Sequence, residues 1–343
     1  MRSTCQALSS PPTLVEGVGE VYRKGDAWLH YGDALDFYER WPSPTVIVSD
    51  GPYGLGSFPG DPPSVDTLAG CYRPHLQAWS RRALPSTTLW FWNSELGWAT
   101  VHNEIVKAGW EFRNCHVWDK GLAHIAGNTN TGNLRKFPVT TEVCVQYVKK
   151  TRIEVDGVSM TLQEWLRHEW VRSGLPLCRT NEACGVKNAA TRKYFTADHL
   201  WYFPPPEAFG RLADYANQHG DPAGRPYFSL DGVRPLTPEE WALMRAKFQC
   251  SNGTTNVWRQ NAVRGRERLK KRTCCVHMNQ KPLRLLELCI RASSEPGDVV
   301  WEPFGGLCSA TLAAKRLGRK AYAAEIIRDY FHQAVARFAD ELL

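Results

Sequence analysis

An acid delivered to the end of a buried strand, with a proline and an aromatic directly behind it, is placed for chemistry rather than for solubility. The stretch TVIVSDGPYG, residues 45–54, has that form. Val46, Ile47 and Val48 favour a strand, Ser49 and Asp50 end it, and Gly51, Pro52, Tyr53 and Gly54 turn the chain away. A carboxylate fixed there accepts hydrogen bonds from a set position and stabilises positive charge that develops beside it. Taken alone, Asp-Gly-Pro-Tyr-Gly is more often a plain surface turn.

A second segment, GDVVWEPFGGLCSATLAAKRLGRKAYAAEI, changes that balance. A strand ends in Glu302-Pro303-Phe304, the pair Gly305-Gly306 follows, and a helix begins. Glycines permit close backbone approach, and the free N–H groups of a helix start suit an anionic group. Glu325 closes the next strand, where an acid commonly holds the two hydroxyls of a ribose. The combination suits a nucleoside-bearing cofactor. A nicotinamide cofactor fits less well, because G-x-G-x-x-G is absent.

The elements that must position these residues fall into three zones. From about Trp28 to Lys150, strand-like runs (TVIVSD, TTLWFWN, RNCHVWDK, TEVCVQYVKK) alternate with helical runs (HLQAWSRRAL, TVHNEIVKAG), which predicts a parallel, doubly wound α/β sheet. From about Thr151 the rhythm changes to helices. Leu162, Trp165, Leu166 and Trp170 share one helical face, and Thr161 with Glu164 forms a capping box at its start. From about Asn256 the α/β pattern returns. The expected organisation is a tail at 1–18, one half of an α/β domain at 19–150, a helical insert at 151–255 and the other half at 256–343.

Composition sets the outer bounds. The chain has 343 residues, 43% of them apolar, and a formal charge of +7, which permits a polyanionic partner without requiring one. No run reaches the ~18 apolar residues of a membrane span, and the N-terminus lacks a secretory core, so a cytoplasmic protein is expected. Its 11 cysteines are scattered without C-x-x-C, which argues against a disulfide framework and a zinc ribbon, and no metal is expected.

The two segments together resemble the amino-group DNA methyltransferases, in the circularly permuted order often called the β class. That family carries a catalytic D-P-P-Y, here Asp50, Gly51, Pro52 and Tyr53, then a target-recognition insert, then a cofactor D-P-F-x-G-S-G, here Glu302, Pro303, Phe304, Gly305 and Gly306. A G-D-A before the catalytic strand matches Asp33 and Ala34, and Q-K-P matches Gln280, Lys281 and Pro282. The departures are Gly51 for the first proline, Glu302 for the aspartate, and Leu307-Cys308-Ser309 for S-G-T.

The resemblance implies a Rossmann-like methyltransferase fold, S-adenosylmethionine as cofactor, and transfer of a methyl group to adenine N6 of duplex DNA, with cytosine N4 as the alternative. Asp33, Ala34, Lys281, Glu302, Phe304, Gly305, Gly306 and Glu325 would meet the cofactor. Asp50 and the Gly51 carbonyl would grip the amino group, and Tyr53 would stack on a flipped base. Trp90, Phe91, Trp92 and Asn93 are candidates for a pocket wall or, more plainly, a buried aromatic strand. The run VRGRERLKKR, with Arg264, Arg266, Lys270 and Lys271, is expected on phosphates. RTNEACGVKNAATRKYF resembles a helix-turn-helix, with Asn188, Arg192 and Lys193 on base edges. A non-catalytic DNA-binding protein and an RNA methyltransferase are the rival classes. Bacterial or phage origin follows from the resemblance. A cognate restriction endonuclease and a homodimer are compatible with it, but no residue fixes either.

Overall fold

The computed structural model describes residues 13–14, 20–56, 60–125, 135–271, 274–276 and 279–340. Two compact units divide the chain: Met1–Lys149 with Ala246–Leu343, and Lys150–Arg245. In chain order the first unit carries β1 (Thr13–Leu14), β2 (Glu20–Lys24), β3 (Ala27–Tyr31), β4 (Val46–Ser49), α1 (Leu68–Arg82), β5 (Thr88–Asn93), α2 (Glu95–Lys107), β6 (Trp110–Asp119) and β7 (Thr141–Lys149). The second unit holds β8 (Ile153–Val155), β9 (Val158–Met160), α3 (Leu162–Arg172), α4 (Arg179–Ala183), α5 (Ala189–Tyr194), α6 (Pro206–His219) and α7 (Pro238–Ala242). The first then resumes with β10 (Val257–Arg259), β11 (Lys270–Lys271), β12 (Cys274–Cys275), α8 (Leu283–Ser293), β13 (Val299–Glu302), α9 (Ser309–Arg316), β14 (Lys320–Glu325) and α10 (Arg328–Asp340).

Among the described residues one ten-stranded sheet runs in the order β1-β2-β3-β14-β13-β4-β5-β7-β6-β10. Strands β3, β14, β13, β4 and β5 are mutually parallel, as strand-helix alternation requires. The expected parallel, doubly wound sheet is present, with antiparallel strands at its flanks: β2 pairs antiparallel with β1 and β3, and β7 with β5 and β6. Among the described residues only a short 3-10 turn, Leu122–His124, lies between β6 and β7. Strands β13 and β14, from the end of the sequence, lie between β3 and β4 from its beginning.

Side-chain alternation splits the sheet's two faces. Ile47, Leu89, Phe91, Val145 and Tyr147 pack with Leu76, Trp79, Val101 and Ile105 of α1 and α2. Their neighbours Val46, Val48, Trp90, Trp92 and Cys144 pack with Leu285, Leu286, Ile290 and Ala313 of α8 and α9. Helix α1 starts earlier than the expected HLQAWSRRAL run and contains Pro74. Pro74 has no N–H to give the Gly70 carbonyl, so α1 lacks one bond of its ladder there.

The second unit has its own core of Trp165, Leu166, Trp170, Phe209, Leu212, Phe228 and Trp241. Trp241 lies between two parallel rings, Phe203 at 4.3 Å and Phe209 at 4.4 Å. The Thr161–Glu164 capping box is formed at the start of α3. This unit ends at Arg245, before the expected boundary at 255. The intervening residues join the sheet unit, where Gln249 N donates to Ala292 O at 2.8 Å and its side chain to Glu295 at 2.9 Å.

Glu169 sits on the apolar face of α3 with 0% exposure. Arg172 at 2.7 Å, Arg225 at 2.8 Å and the Phe228 N–H at 2.9 Å satisfy its carboxylate. Removing one member of such a cluster leaves buried charge uncompensated. We expect Glu169→Ala to destabilise the second unit by about 3 kcal/mol, read as a lowered denaturation midpoint followed by tryptophan fluorescence.

Candidate active site

Parallel neighbours present their C-terminal ends at one edge, and here four such ends stand side by side. Asp33 follows β3, Glu325 ends β14, Glu302 ends β13 and Asp50 follows β4. Strand spacing of ~4.8 Å puts these acids in a row along the edge. The edge opens into a cavity of about 280 Å³. Its walls include Asp50, Gly51, Pro52 and Tyr53 together with Asp33, Ala34, Lys281, Glu302, Phe304, Gly305, Gly306 and Glu325.

Lys281 organises the Asp50 side. Its ammonium donates to Asp50 Oδ1 at 2.7 Å and to the Tyr53 hydroxyl at 3.0 Å, and lies 3.2 Å from Glu142 Oε2. The Lys281 side chain is 2% exposed and that of Asp50 22%. Tyr53 OH is 3.2 Å from Asp50 Oδ1 and 3.2 Å from Glu142 Oε2, so its single proton serves one carboxylate at a time. Lys120 closes the chain of charges, with Nζ 2.5 Å from Glu142 Oε1. Burial lifts the Asp50 carboxyl above its usual range, against the pull of the Lys281 charge. Burial would also lift Glu142, but Lys281 and Lys120 outweigh it and hold Glu142 low. Burial pushes Lys281 down, yet Asp50 and Glu142 together keep it raised and charged.

The turn after Asp50 is held from behind. Asp61 Oδ1 accepts from the N–H groups of Tyr53 at 2.7 Å and Gly54 at 2.8 Å, and Oδ2 from Leu55 at 2.7 Å. The Pro52 carbonyl accepts from Asn93 Nδ2 at 3.0 Å and Tyr72 OH at 3.2 Å. Gly51 has a structural reason of its own. A Cβ there would sit 2.6 Å from both the Phe304 ring and the Tyr72 hydroxyl. The motif's missing proline is therefore coupled to the cofactor turn, whose phenylalanine occupies the space.

That turn departs from the family pattern without losing its shape. Cys308, where the pattern has glycine, adopts the left-handed conformation at φ 51° and is buried. For a non-glycine residue this costs about 1–2 kcal/mol, offset here by packing of the buried side chain. Glu302 lines the cavity, but its carboxylate serves α9: Oε1 accepts from Ala310 N at 2.9 Å and Oε2 from Thr311 N at 2.6 Å. It takes the place of the side-chain cap that Cys308 does not provide. Glu325 accepts from Gly306 N at 2.5 Å and Ile327 N at 2.6 Å. Burial raises both glutamates to about 7. Asp33 caps the short 3-10 turn that contains Ala34, accepting from Leu35 N at 2.9 Å.

Other expected residues lie elsewhere. Trp90 and Trp92 are buried in one face of the sheet and Phe91 in the other, and only Asn93 reaches the catalytic turn. Asn188, Arg192 and Lys193 are exposed on and before α5, a helix of 6 residues. Asn181, not Asn188, caps α5, accepting from Ala190 N at 3.1 Å and Thr191 N at 3.2 Å. Arg264 is exposed and donates to Ala123 O at 2.7 Å. The side chains of Arg266, Lys270 and Lys271 lie outside the described residues. The sequence reading missed Glu142, Lys120, Asp61 and Tyr72. The one available signal was Glu142 itself, an acid at the head of the largely apolar run EVCVQYV.

Gly51→Ala should cost about 1–3 kcal/mol, because two packed rings must move. Truncating Phe304 in the same chain should recover part of that loss. Thermal melts of the single and double variants measure the coupling.

A sequence profile of the DNA methylase family, which covers N6 and N4 enzymes, matches residues 45–336. Over 114 residues the chain is 33% identical to the Type II methyltransferase M1.MboII of Moraxella bovis, a stretch covering 32% of this chain and 44% of that protein. Over 154 residues it is 28% identical to the Type II methyltransferase M.HpaI of Haemophilus parainfluenzae, covering 43% of this chain and 46% of the relative. The matched stretches span less than half the length of either relative. Among solved structures, M1.HpyAVI in complex with SAM superposes with a TM-score of 0.50 at 15% identity, covering 90% of this chain and 97% of that one. The cytosine-N4-specific PvuII DNA methyltransferase superposes with a TM-score of 0.50 at 12% identity, covering 98% and 92%. At such identities the structural likeness is one of fold. With the profile match running from the catalytic strand into the last helix, the chain belongs to the DNA methylase family of amino-group N6 and N4 methyltransferases.

Proposed function

We propose that this protein transfers a methyl group from S-adenosylmethionine to the N6 amino group of an adenine extruded from duplex DNA. The observation that carries the reading is the placement of Asp50 and Glu325 on one cavity, at the ends of strands separated only by β13. The residues present fit the cofactor. Glu325 offers a buried carboxylate to ribose hydroxyls, Asp33 and Ala34 stand at the next strand end for the adenine, and Phe304 supplies an apolar wall. Bound S-adenosylmethionine supplies an electrophilic methyl group.

An exocyclic amino nitrogen is a poor nucleophile because its lone pair is delocalised into the ring. In this reading Asp50 accepts one amino hydrogen and the Gly51 carbonyl accepts the other, which draws the nitrogen toward tetrahedral geometry. The nitrogen's lone pair forms the new N–C bond as the S–C bond breaks, with that electron pair left on sulfur. Positive charge grows on the nitrogen, Asp50 stabilises it, and the surplus proton leaves toward Asp50. A base within a duplex cannot reach the cavity, so it must be flipped, and Tyr53 lines the cavity to receive it. Adenine is favoured because an aspartate holds the first place of the motif. Ser49, the residue type more usual there in cytosine-N4 enzymes, is buried within β4. Arg264, Arg266, Lys270 and Lys271 supply phosphate contacts in this reading, and Asn188, Arg192 and Lys193 supply base contacts.

Asp50→Ala should abolish methyl transfer to DNA while leaving S-adenosylmethionine affinity within a few fold. Mass analysis of nucleosides from treated DNA should show N6-methyladenine. A methylcytosine peak alone would overturn the choice of base, and unchanged turnover in the variant would overturn the role of Asp50.

Because burial raises the Glu325 carboxyl to about 7, a ribose that prefers the ionised form binds better as the proton leaves. S-adenosylmethionine affinity should therefore increase from about pH 6 to about pH 8. Glu325→Gln should flatten that rise, while Glu302, which titrates in the same range, is present in both proteins. Calorimetric titration across that range measures both.

A further inference from the structure

A lysine touching the carboxylate that must accept from the amino group poses a problem. An ammonium 2.7 Å from Asp50 Oδ1 competes with the amine for the same acceptor. Were Lys281 devoted to Asp50, the acid would be a neutralised partner rather than an open one. The structure divides the ammonium instead. Its N–H donors meet Asp50, the Tyr53 hydroxyl and Glu142, the last at 3.2 Å, with the Asn279 carbonyl farther off at 3.5 Å. Glu142 lies on β7, two strands from β4 across β5, and is 9% exposed. It is not among the residues that line the cavity.

We propose that Glu142 is a positioning residue for the reaction: by sharing the Lys281 ammonium with Asp50, it keeps Asp50 oriented while leaving it an effective acceptor for the amine. This rests on the reading of Asp50 given above. Lys120, at 2.5 Å from the other Glu142 oxygen, sets how much of the Glu142 charge reaches Lys281. Among the described residues the titratable groups that face Asp50 are Lys281, Glu142, Tyr53, Tyr72, Cys144 and, from the end of β13, Glu302. Among these Lys281 alone is cationic, so its sharing decides the basicity of Asp50.

The proposal fixes signs. Glu142→Gln removes a negative charge and frees Lys281 for Asp50, so the Asp50 carboxyl becomes more acidic. Lys281→Met removes the cation and makes it less acidic. Lys120→Met leaves Glu142 less neutralised and shifts Asp50 the same way as Lys281→Met, by less. An opposite charge at this range moves a carboxyl by about 1–3 pH units. The expected outcome is an acid limb of the methylation rate that moves down by about one unit in Glu142→Gln and up in both lysine variants. The plateau rate in Glu142→Gln should fall at least about tenfold, with S-adenosylmethionine affinity unchanged.

Carbon-13 titration of the Asp50 carboxyl, assigned by its loss in Asp50→Asn, follows the same shifts without DNA or turnover. A role confined to stability would lower the melting temperature of all three variants but leave the Asp50 titration where it was, which would overturn the proposal. Shifts of one sign in all three would overturn it as well. If the titration shifts as stated but the wild-type protein methylates neither adenine nor cytosine, the sharing of Lys281 stands and the function proposed above fails. Should Glu142→Gln not fold, Lys120→Met and Lys281→Met still decide, since their shifts must be upward and unequal.

Discussion

Strands β13 and β14 pair between β3 and β4, and every other feature of the site depends on that insertion. Hydrogen-bonded parallel strands cannot drift apart, so the acids at their ends keep a fixed spacing. Asp50 gains its counter-ion because α8, which follows Lys281 closely, packs on the same sheet face as β4 and β13. Phe304 reaches Gly51 for the same reason: the strand before it is the immediate neighbour of β4.

Much of this was legible in the residues. A strand-forming run that stops at an acid, followed by Gly-Pro-Tyr, marks Asp50. A strand, glycine pair, helix and strand ending in an acid marks Glu325. These signals are local, and local signals survive without knowledge of the fold. What could not be read depends on partners distant in sequence. Glu142 looks like an outward-facing residue until Lys281, Lys120 and the Tyr53 hydroxyl, none of them near it in sequence, meet its carboxylate. Gly51 looks like a weakened motif until Phe304 and Tyr72 occupy the space of a side chain. Glu302 shows the opposite limit. An acid before a glycine-rich turn reads the same whether it meets a ligand or the N–H groups of a helix, and here its oxygens meet α9. The helical segment was clear from Trp165 and Trp170, but its end was not, because residues 246–255 are held by α8 and the residues just after it rather than by any pattern of their own.

The row Lys120, Glu142, Lys281 and Asp50 alternates in sign. Such a row adds little stability beyond what apolar side chains of the same volume would supply. Its contribution is to geometry: each member has one orientation that satisfies its neighbours, and a misplaced side chain leaves a buried charge unpaired. Asp61 does for the backbone what Lys281 does for the side chains, fixing three successive N–H groups on one carboxylate. The catalytic turn is thus set by polar contacts on one side and by the Phe304 and Tyr72 rings on the other.

The interleaved strand order also bears on how the chain is made. If β3 pairs with β2, and β4 with β5, as the chain leaves the ribosome, the edges that will face each other have no partners. Those partners are not translated until the entire second unit has been synthesised. At ~5–20 residues per second the wait is on the order of ten seconds or more, long compared with the folding of a small domain. Throughout that interval the nascent chain carries two open, apolar strand edges, the kind of surface on which chains aggregate. On this order of events the exposure ends only when β13 and β14 close the gap.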